Sequence, residues 1–168
     1  MITNDPKLDY FTIKGRTDSN YATNPETRKI TSGIEVTLNG APVVIRSVGQ
    51  KIVALSVTEA ETIARTQGAQ EMLYVMRLVE SIGLKVKKPM MLECDNKGAI
   101  DISNNWTVNG RTKHIDTRHY FLRELKEKGI IESKLISGND NSTDLFNKNL
   151  ANPLFTKHAS YYCTDDAF

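Results

Sequence analysis

The sequence predicts one α/β domain built around a mixed β-sheet. Three strand patterns come first in the 168-residue chain, and helical and strand patterns then alternate towards its end. Asn39-Gly40 separates the second and third strand patterns and is a strong signal for a tight hairpin, which makes these two strands antiparallel. The later strands each follow a helical pattern, and helical crossovers are what join parallel strands in α/β folds.

The first three strands are predicted from the alternation of apolar and polar residues. Residues 9–17 alternate loosely, residues 33–38 alternate clearly, and residues 43–48 return as the partner across the hairpin. Residues 18–31 are polar and contain Asn24-Pro25, so they are predicted to form a loop. These three strands form the antiparallel part of the sheet.

The second half of the chain contains two long amphipathic helical patterns. Apolar residues of the first recur at three- and four-residue steps, which indicates one buried face. Gly83 and Gly129 follow the two patterns and are typical of residues that end helices. In chain order, we predict a helix over 58–82, a strand over Met90–Cys94, a short helix over 97–103, a helix over 114–128, a strand over 130–136 and a C-terminal helix capped by Ser142 and running through Leu145 and Phe146.

The composition is ordinary for a globular protein, with 39% hydrophobic and 25% charged residues, which argues against disorder. The longest apolar runs are far too short to span a bilayer, and the amino terminus has no secretion signal, so we expect an intracellular protein without membrane contact. Cys94 and Cys163 are expected to be reduced, and no zinc motif is present.

Four carboxylates stand at places where function concentrates in α/β folds, the ends of elements. Asp18 and Asp95 each follow a predicted strand, Glu61 lies near the start of the long helix, and Asp144 lies in the first turn of the last helix. Oxygen ligands suit Mg²⁺. Two such ions about 4 Å apart activate the attacking water and stabilise the leaving oxygen in phosphodiester hydrolysis. Acids that converge from different elements would suit that chemistry.

Glu59 lies close to Glu61, and only one of the two is expected to face the core. Residues two apart on a helix differ by about 200° in direction. Glu61 is three residues before Ala64 on the apolar stripe, whereas Glu59 falls off it. A buried carboxylate is unfavourable unless something offsets its charge, and a shared divalent cation would do so. The alternative is that Glu61 lies at an exposed helix end, where the helix dipole favours it.

The net charge of +2 is uninformative, but basic residues are concentrated between Arg111 and Lys134. A second small basic cluster contains Lys85, Lys87 and Lys88. Either cluster is explained by solvated helix surface or by a face that binds phosphates.

Six short motifs follow one another in a recognisable order along residues 9 to 150. They are TDSNYA at 17–22, RKITSG at 28–33, LSVTEAE at 55–61, CDN at 94–96, RTKHIDTR at 111–118 and a closing segment at 140–150 that ends in NKNL. In this order they resemble the signatures of the ribonuclease H domain of copia-type LTR retrotransposon Pol polyproteins. The resemblance covers residues 9–150, which are predicted to be the domain. Residues 1–8 have no clear period and are interpreted as a leader or the end of a preceding segment, and residues 151–168 as a C-terminal extension.

The resemblance implies a five-stranded mixed sheet of strand order 3-2-1-4-5, flanked by helices, with the first three strands antiparallel. By position, it also implies that Asp18, Glu61, Asp95 and Asp144 bind two Mg²⁺ ions, for which Mn²⁺ can substitute. Other ribonucleases H carry a histidine in the loop before the fourth acid. Here that loop, residues 137–141, contains none, as is common in the copia-type family.

The implied activity is hydrolysis of the RNA strand of RNA–DNA hybrids during reverse transcription. The implied partners are the hybrid and the reverse transcriptase domain of the same polyprotein, and the implied location is a cytoplasmic virus-like particle. Contacts to the hybrid are expected from Ser19, Asn20, Thr58, Asn96, Arg111, Lys113, His114 and Arg118. For His114, packing within the protein is the competing interpretation.

Two other functions fit the same motifs. The first is a catalytically weak or inactive module of the same fold that binds nucleic acid or tethers polyprotein domains. The retention of all four acids speaks against it. The second is an integrase-type nuclease, which uses three acids. The position of Glu61 on the first long helix and the hairpin at Asn39-Gly40 fit ribonuclease H better.

Overall fold

The computed structural model describes residues 10–21, 30–51, 54–105 and 113–163, without the side chains of 103–105 and 113–116. Its five strands form one sheet of order β3-β2-β1-β4-β5. The strands are β1 (Ile13–Asn20), β2 (Thr31–Leu38), β3 (Ala41–Gly49), β4 (Met90–Cys94) and β5 (Ile131–Leu135). β1 to β3 are antiparallel, and β4 runs parallel to both β1 and β5. The predicted fold class and strand order are confirmed.

The helices are α1 (Val57–Ser81), α2 (Lys97–Asn105), α3 (Lys113–Glu127) and α4 (Asn152–Ala159), with 3₁₀ helices at Gly138–Asp140 and Ser142–Phe146. The hairpin between β2 and β3 has the predicted two-residue turn. Asn39 and Gly40 both have positive φ, at 49° and 82°, as a type I′ turn requires. Gly83 and Gly129 follow α1 and α3 with φ of 82° and 62°, which confirms them as helix-ending residues.

One side of the sheet packs against α1, and its contacts form the main hydrophobic core. Met72 on α1 lies so close to β1 that a β-carbon on Gly15 would come within 2.5 Å of its sulfur. The core then continues through α3 and the parallel strands. Its fully or largely buried members are Ile13, Val36, Ala69, Met72, Val75, Met76, Val79, Val86, Met90, Leu92, Leu122, Leu125 and Ile131.

The other side of the sheet carries the 3₁₀ helix Ser142–Phe146. A β-carbon on Gly33 would come within 2.6 Å of the Thr143 carbonyl oxygen, so the 3₁₀ helix lies directly on β2. Arg16 points to the same side and donates from Nη1 to Ser142 Oγ at 3.1 Å. Side chains of β1 therefore alternate between α1 and this 3₁₀ helix, as the two-residue period of a strand dictates.

Two predicted boundaries are wrong in ways that affect the site. Asp18 does not follow β1 but lies inside it, paired with Gly33 of β2. The last predicted helix is the 3₁₀ helix Ser142–Phe146, and its N-cap is Asn141 rather than Ser142, because the Asn141 side chain accepts from the Thr143 amide. The following helix, α4, packs against this 3₁₀ helix. Among the described residues, no helix is both long enough and apolar enough to cross a membrane.

Candidate metal centre

Three acids converge at the end of β1 and are called the acid cluster here: Asp18, Glu61 and Asp95. Each offers one carboxylate oxygen, and these oxygens all lie within 4.8 Å of one another. They come from three separate elements, since Asp18 lies on β1, Glu61 in the second turn of α1, and Asp95 directly after β4. The parallel pairing of β1 with β4 brings Asp18 and Asp95 to the same end of the sheet.

Glu61 is buried and held by Ser19. The Ser19 amide and hydroxyl donate to Glu61 Oε1, at 3.1 and 2.7 Å. The other oxygen, Oε2, is buried with no hydrogen-bond partner among the described residues. Burial, and next the charge of Asp18, raise the pKa of Glu61 to about 8, although the hydrogen bonds from Ser19 act in the opposite direction. Burial and the charge of Asp18 also raise the pKa of Asp95.

The donor set of the acid cluster fits a divalent cation. Three carboxylates supply the hard oxygen ligands that Mg²⁺ and Mn²⁺ accept. A buried polar atom without a partner costs free energy, and a cation beside Glu61 Oε2 would satisfy it. The acid cluster thus has the ligand chemistry of a divalent-cation site, and a bound cation would stabilise its buried carboxylates.

Asp144 is not a member of the acid cluster but is joined to it through Lys148. Lys148 Nζ lies 2.9 Å from Asp18 Oδ2 and 2.9 Å from Asp144 Oδ1. Burial raises the pKa of Asp144 to about 6, while the hydrogen bond from Lys148 lowers it. Burial acts to lower the pKa of Lys148, yet its bonds to Asp144 and Asp18 raise that pKa above its ordinary value.

Asn141 and Asn147 attach the 3₁₀ helix Ser142–Phe146 to β1. Asn141 is fully buried, and its Nδ2 donates to the Thr17 carbonyl at 3.1 Å. Asn147 Nδ2 donates to Asp18 Oδ2 at 2.7 Å. These two amides therefore fix where Asp144 stands relative to Asp18. Sequence reasoning missed them and Lys148, although the four-residue spacing from Asp144 to Lys148 was a signal for an ion pair.

Glu59 departs from the prediction because it is buried, like Glu61. Its Oε2 accepts from the Leu55 amide at 2.7 Å, and its own amide donates to Ser56 Oγ at 3.1 Å. The side chain folds back over the start of α1, in the manner of a capping box, and so does not need to share the direction of Glu61. The structure brings Glu61, and not Glu59, into the acid cluster.

The residues expected to contact nucleic acid fall into three groups. Thr58 and Asn96 border the start of α2, where a β-carbon on Gly98 would lie 3.2 Å from Asn96 Oδ1 and 3.6 Å from Thr58 Oγ1. Ser19 is buried and its hydroxyl donates to Glu61, and Asn20 donates to the Asn147 carbonyl. Of the basic group, Arg118 is half-buried on α3, whereas Arg111 and the side chains of Lys113 and His114 lie outside the described residues.

Comparison with known proteins gives relatives of one kind. The chain is 38% identical over 136 residues to the retrovirus-related Pol polyprotein from transposon TNT 1-94 of Nicotiana tabacum, which covers 81% of this chain and 10% of the relative. It is 28% identical over 166 residues to the corresponding polyprotein from transposon RE1 of Arabidopsis thaliana, covering 95% and 11%. The chain thus spans about a tenth of the length of these curated relatives. No family model matches.

Solved structures with the same fold include ribonucleases H. LC11-RNase H1, isolated from compost by a metagenomic approach, has a TM-score of 0.59 at 15% identity, over 89% of this chain and 99% of that one. Its complex with an RNA/DNA hybrid has a TM-score of 0.56 at 15% identity, over 77% and 88%. At this identity the likeness establishes the fold.

Proposed function

From the premise that the chain is homologous to a segment of retrovirus-related transposon Pol polyproteins and has the ribonuclease H fold, we propose that it hydrolyses the RNA strand of RNA–DNA hybrids. The observation that carries the proposal is the acid cluster with the unpartnered oxygen of Glu61. A merely structural cluster would be expected to have its buried carboxylate oxygens hydrogen-bonded. Here Glu61 Oε2 has no such partner among the described residues, and two further carboxylates lie close to Glu61.

Asp18, Glu61 and Asp95 would hold one divalent ion, and Asp18 with Asp144 would hold the second, so that Asp18 is shared. Mg²⁺ is the expected ion, with Mn²⁺ as a substitute. When bound, two such ions supply an activated water and stabilise the leaving oxygen. Ser19 orients Glu61 through two hydrogen bonds, and Asn147 orients Asp18. The role of these neighbours is to fix the carboxylates before substrate arrives.

Substrate selection requires a contact to the 2′-hydroxyl of RNA. Thr58 and Asn96 are half-buried, lie together beside Gly98 and are close in sequence to Glu61 and Asp95, so we assign this contact to them. Asn20 adds a polar group at the end of β1. Ser19 acts through Glu61 rather than through the substrate. Arg111, Lys113, His114 and Arg118 are proposed to bind backbone phosphates of the hybrid, as positively charged residues at the start of a helix can do.

Because the chain spans about a tenth of its curated relatives, its working context is also a proposal. The reverse transcriptase domain of the same polyprotein would make the hybrid that this domain degrades. Both activities would then operate inside a cytoplasmic virus-like particle. Cleavage would leave 5′-phosphate and 3′-hydroxyl ends.

The test is cleavage of an end-labelled RNA–DNA hybrid in Mg²⁺, with RNA–RNA and DNA–DNA duplexes as controls. We expect cleavage of the RNA strand in the hybrid alone, and loss of cleavage in EDTA. Binding of the hybrid without cleavage in Mg²⁺ or Mn²⁺ would favour an inactive nucleic-acid-binding module. Strand transfer into duplex DNA would favour an integrase-type nuclease.

A further inference from the structure

Lys148 holds a position that a metal ion of the proposed site would need. Its ammonium is 2.9 Å from Asp18 Oδ2 and 2.9 Å from Asp144 Oδ1. Its backbone amide donates to the Asp144 carbonyl at 2.9 Å, so the turn after the 3₁₀ helix directs the side chain towards both acids. The side chain is 32% exposed, which leaves a route by which its flexible stem can move into solvent.

Asp18 shows how the Lys148 ammonium and a divalent ion at the Asp18–Asp144 pair would exclude each other. Its Oδ2 accepts from Lys148 Nζ at 2.9 Å and from Asn147 Nδ2 at 2.7 Å. A carboxylate oxygen offers about two lone-pair sites, so this oxygen is filled by the two donors. A divalent ion that bridges Asp18 and Asp144 would have to displace the ammonium, which it also repels.

The acid cluster differs from the Asp18–Asp144 pair in how its carboxylate oxygens are hydrogen-bonded. The oxygens of Asp18, Glu61 and Asp95 lie within 4.8 Å of one another, and Glu61 Oε2 has no hydrogen-bond partner to displace among the described residues. An ion entering there gains three acidic ligands and relieves their mutual repulsion. An ion bound there takes no ligand from Asp144, so the ion pair between Lys148 and Asp144 can stay in place.

We propose that Lys148 is a built-in counter-cation that competes with a divalent ion for the Asp18–Asp144 pair. The acid cluster therefore binds its ion first and more tightly, and the Asp18–Asp144 pair binds second and more weakly. This inference rests on the proposed function in that it assigns the two ions of that reaction to sites of unequal affinity. Lys148 is a positioning residue in this scheme, since it acts through the two carboxylates.

The experiment is a titration of the full chain with Mn²⁺ alone, with free Mn²⁺ counted by electron paramagnetic resonance. The variants are Lys148→Met and Lys148→Gln, and the second keeps an amide donor in case the first does not fold. The matched control is Lys157→Met, which removes an exposed ammonium paired with Asp140. We expect two classes of site in the parent chain. Both Lys148 variants should tighten the weaker class by about tenfold and the tighter class by clearly less, because Lys148 contacts both members of the Asp18–Asp144 pair but, within the acid cluster, forms its ion pair with Asp18.

Melting temperature in EDTA gives a second readout that does not depend on activity. Lys148→Met should melt below the parent chain, because Asp18 and Asp144 lose their shared counter-ion, and added Mn²⁺ should restore more of the loss than it does in the Lys157→Met control. An unchanged weaker class in both Lys148 variants would overturn the proposal. If the parent chain still cleaves hybrid in that case, only the role of Lys148 fails. If it neither binds Mn²⁺ nor cleaves hybrid, the proposed function fails as well.

Discussion

Glu61 joins the acid cluster with one oxygen bonded to Ser19 and the other without a partner among the described residues. Its pKa of about 8 in the folded chain lies above the ordinary value of 4.5. Below pH 4.5 the carboxyl is protonated in both states and incurs no penalty. Between these values the unfolded chain loses a proton that the folded chain keeps, so folding stability falls as the pH rises. Asp144, with a pKa of about 6, contributes in the same direction.

We therefore expect the free energy of unfolding in EDTA to decrease from pH 5 to pH 8, by on the order of a few kcal/mol. Urea denaturation at several pH values measures it. Glu61→Gln should flatten the profile, because the amide does not ionise. Mg²⁺ should also reduce the decrease, since it favours the ionised carboxylates. A profile of the parent chain that rises across this range in EDTA would contradict the burial of Glu61 in a crowded acid cluster.

The Asp95→Asn variant tests the role of Asp95 in cleavage separately from its effect on stability. Asp95→Asn removes one charge at nearly equal volume, so we expect hybrid cleavage to be lost while the fold is kept. In EDTA the variant should be more stable than the parent chain by a few tenths to about 1 kcal/mol, because repulsion within the acid cluster is relieved. In Mg²⁺ the order should reverse, since the parent chain gains binding energy.

The control is Asp101→Asn, a change of the same kind on the exposed surface of α2. Cleavage by this variant should remain within a few-fold of the parent rate, with stability unchanged within about 0.5 kcal/mol. Cleavage at the parent rate by Asp95→Asn would remove Asp95 from the proposed mechanism.

At the scale of elements, β1 shows where sequence patterns stop being informative. Residues 16–20 are all polar, and the alternation rule predicts that the strand ends before Asp18. The strand continues because β2 supplies backbone partners up to Asn20. Its polar side chains are satisfied at long range, as when Arg16 Nε donates to Glu93 at 2.9 Å and Ser19 donates to Glu61. Such partners lie tens of residues away and leave no periodic signal.

The helices were easier to predict, because their signals are local. Amphipathic spacing and the following glycines located α1 and α3 to within one or two residues. Helical direction alone does not predict the burial of Glu59, because its side chain folds back to accept from the Leu55 amide. Positions at element ends, and then the motifs, identify the four acids, but the place of Asp144 relative to Asp18 depends on tertiary contacts of Asn141 and Asn147 that spacing does not encode.

Asn141 provides a test of how the 3₁₀ helix Ser142–Phe146 is held. Its side chain accepts from Thr143 Oγ1 at 2.7 Å and donates to the Thr17 carbonyl at 3.1 Å, all in a fully buried position. Asn141→Ala removes the cap and leaves a buried carbonyl unpaired, so we expect a loss of about 2 kcal/mol in urea denaturation. Hybrid cleavage should fall as well, because Asp144 loses its fixed position.

The matched control is Asn139→Ala, two residues earlier in the same loop, where the side chain is exposed. Its stability should change by less than about 0.5 kcal/mol. Equal losses in the two variants would mean that the loop tolerates no change at all, and Asn141 would have no particular role in holding the 3₁₀ helix.

Over the whole molecule, the two sides of the sheet have different chemistry. The side that faces α1 is an apolar core, whereas the other side buries Glu35 against Ser142 and Arg16, with Tyr161 placed over the Arg16 guanidinium. The acid cluster lies at the end of β1, where the two layers meet. α3 packs against α1, α2 and β5, and α2 begins two residues after Asp95. A substrate that reaches Asp95 and Thr58 would therefore pass near the helices of the α1 side.

Salt dependence of hybrid binding tests whether the start of α3 takes part. If Arg111 and Lys113 contact phosphates, the Arg111→Ala, Lys113→Ala double variant should bind hybrid more weakly. The slope of log affinity against log salt should then shrink in magnitude by roughly 0.7 to 0.9 for each lost contact. The comparison is made in the Asp95→Asn background, so that binding is measured without cleavage. With Asp95 intact, cleavage rates at saturating substrate should change less than affinity, because neither Arg111 nor Lys113 belongs to the acid cluster.

The control removes the same number and kinds of charge at the other end of α3. Arg123 and Lys128 are exposed and pair with Glu127 and Glu124, so the Arg123→Ala, Lys128→Ala double variant changes the net charge equally without touching the proposed phosphate contacts. Each exposed pair is worth well under 1 kcal/mol, so stability should hardly change. A general field effect would reduce the slope equally in both double variants, and the start of α3 would then be ordinary solvated surface. A reduction confined to Arg111 and Lys113 would place the phosphates of the hybrid beside α2 and α3, on the side of the sheet from which Glu61 reaches the acid cluster.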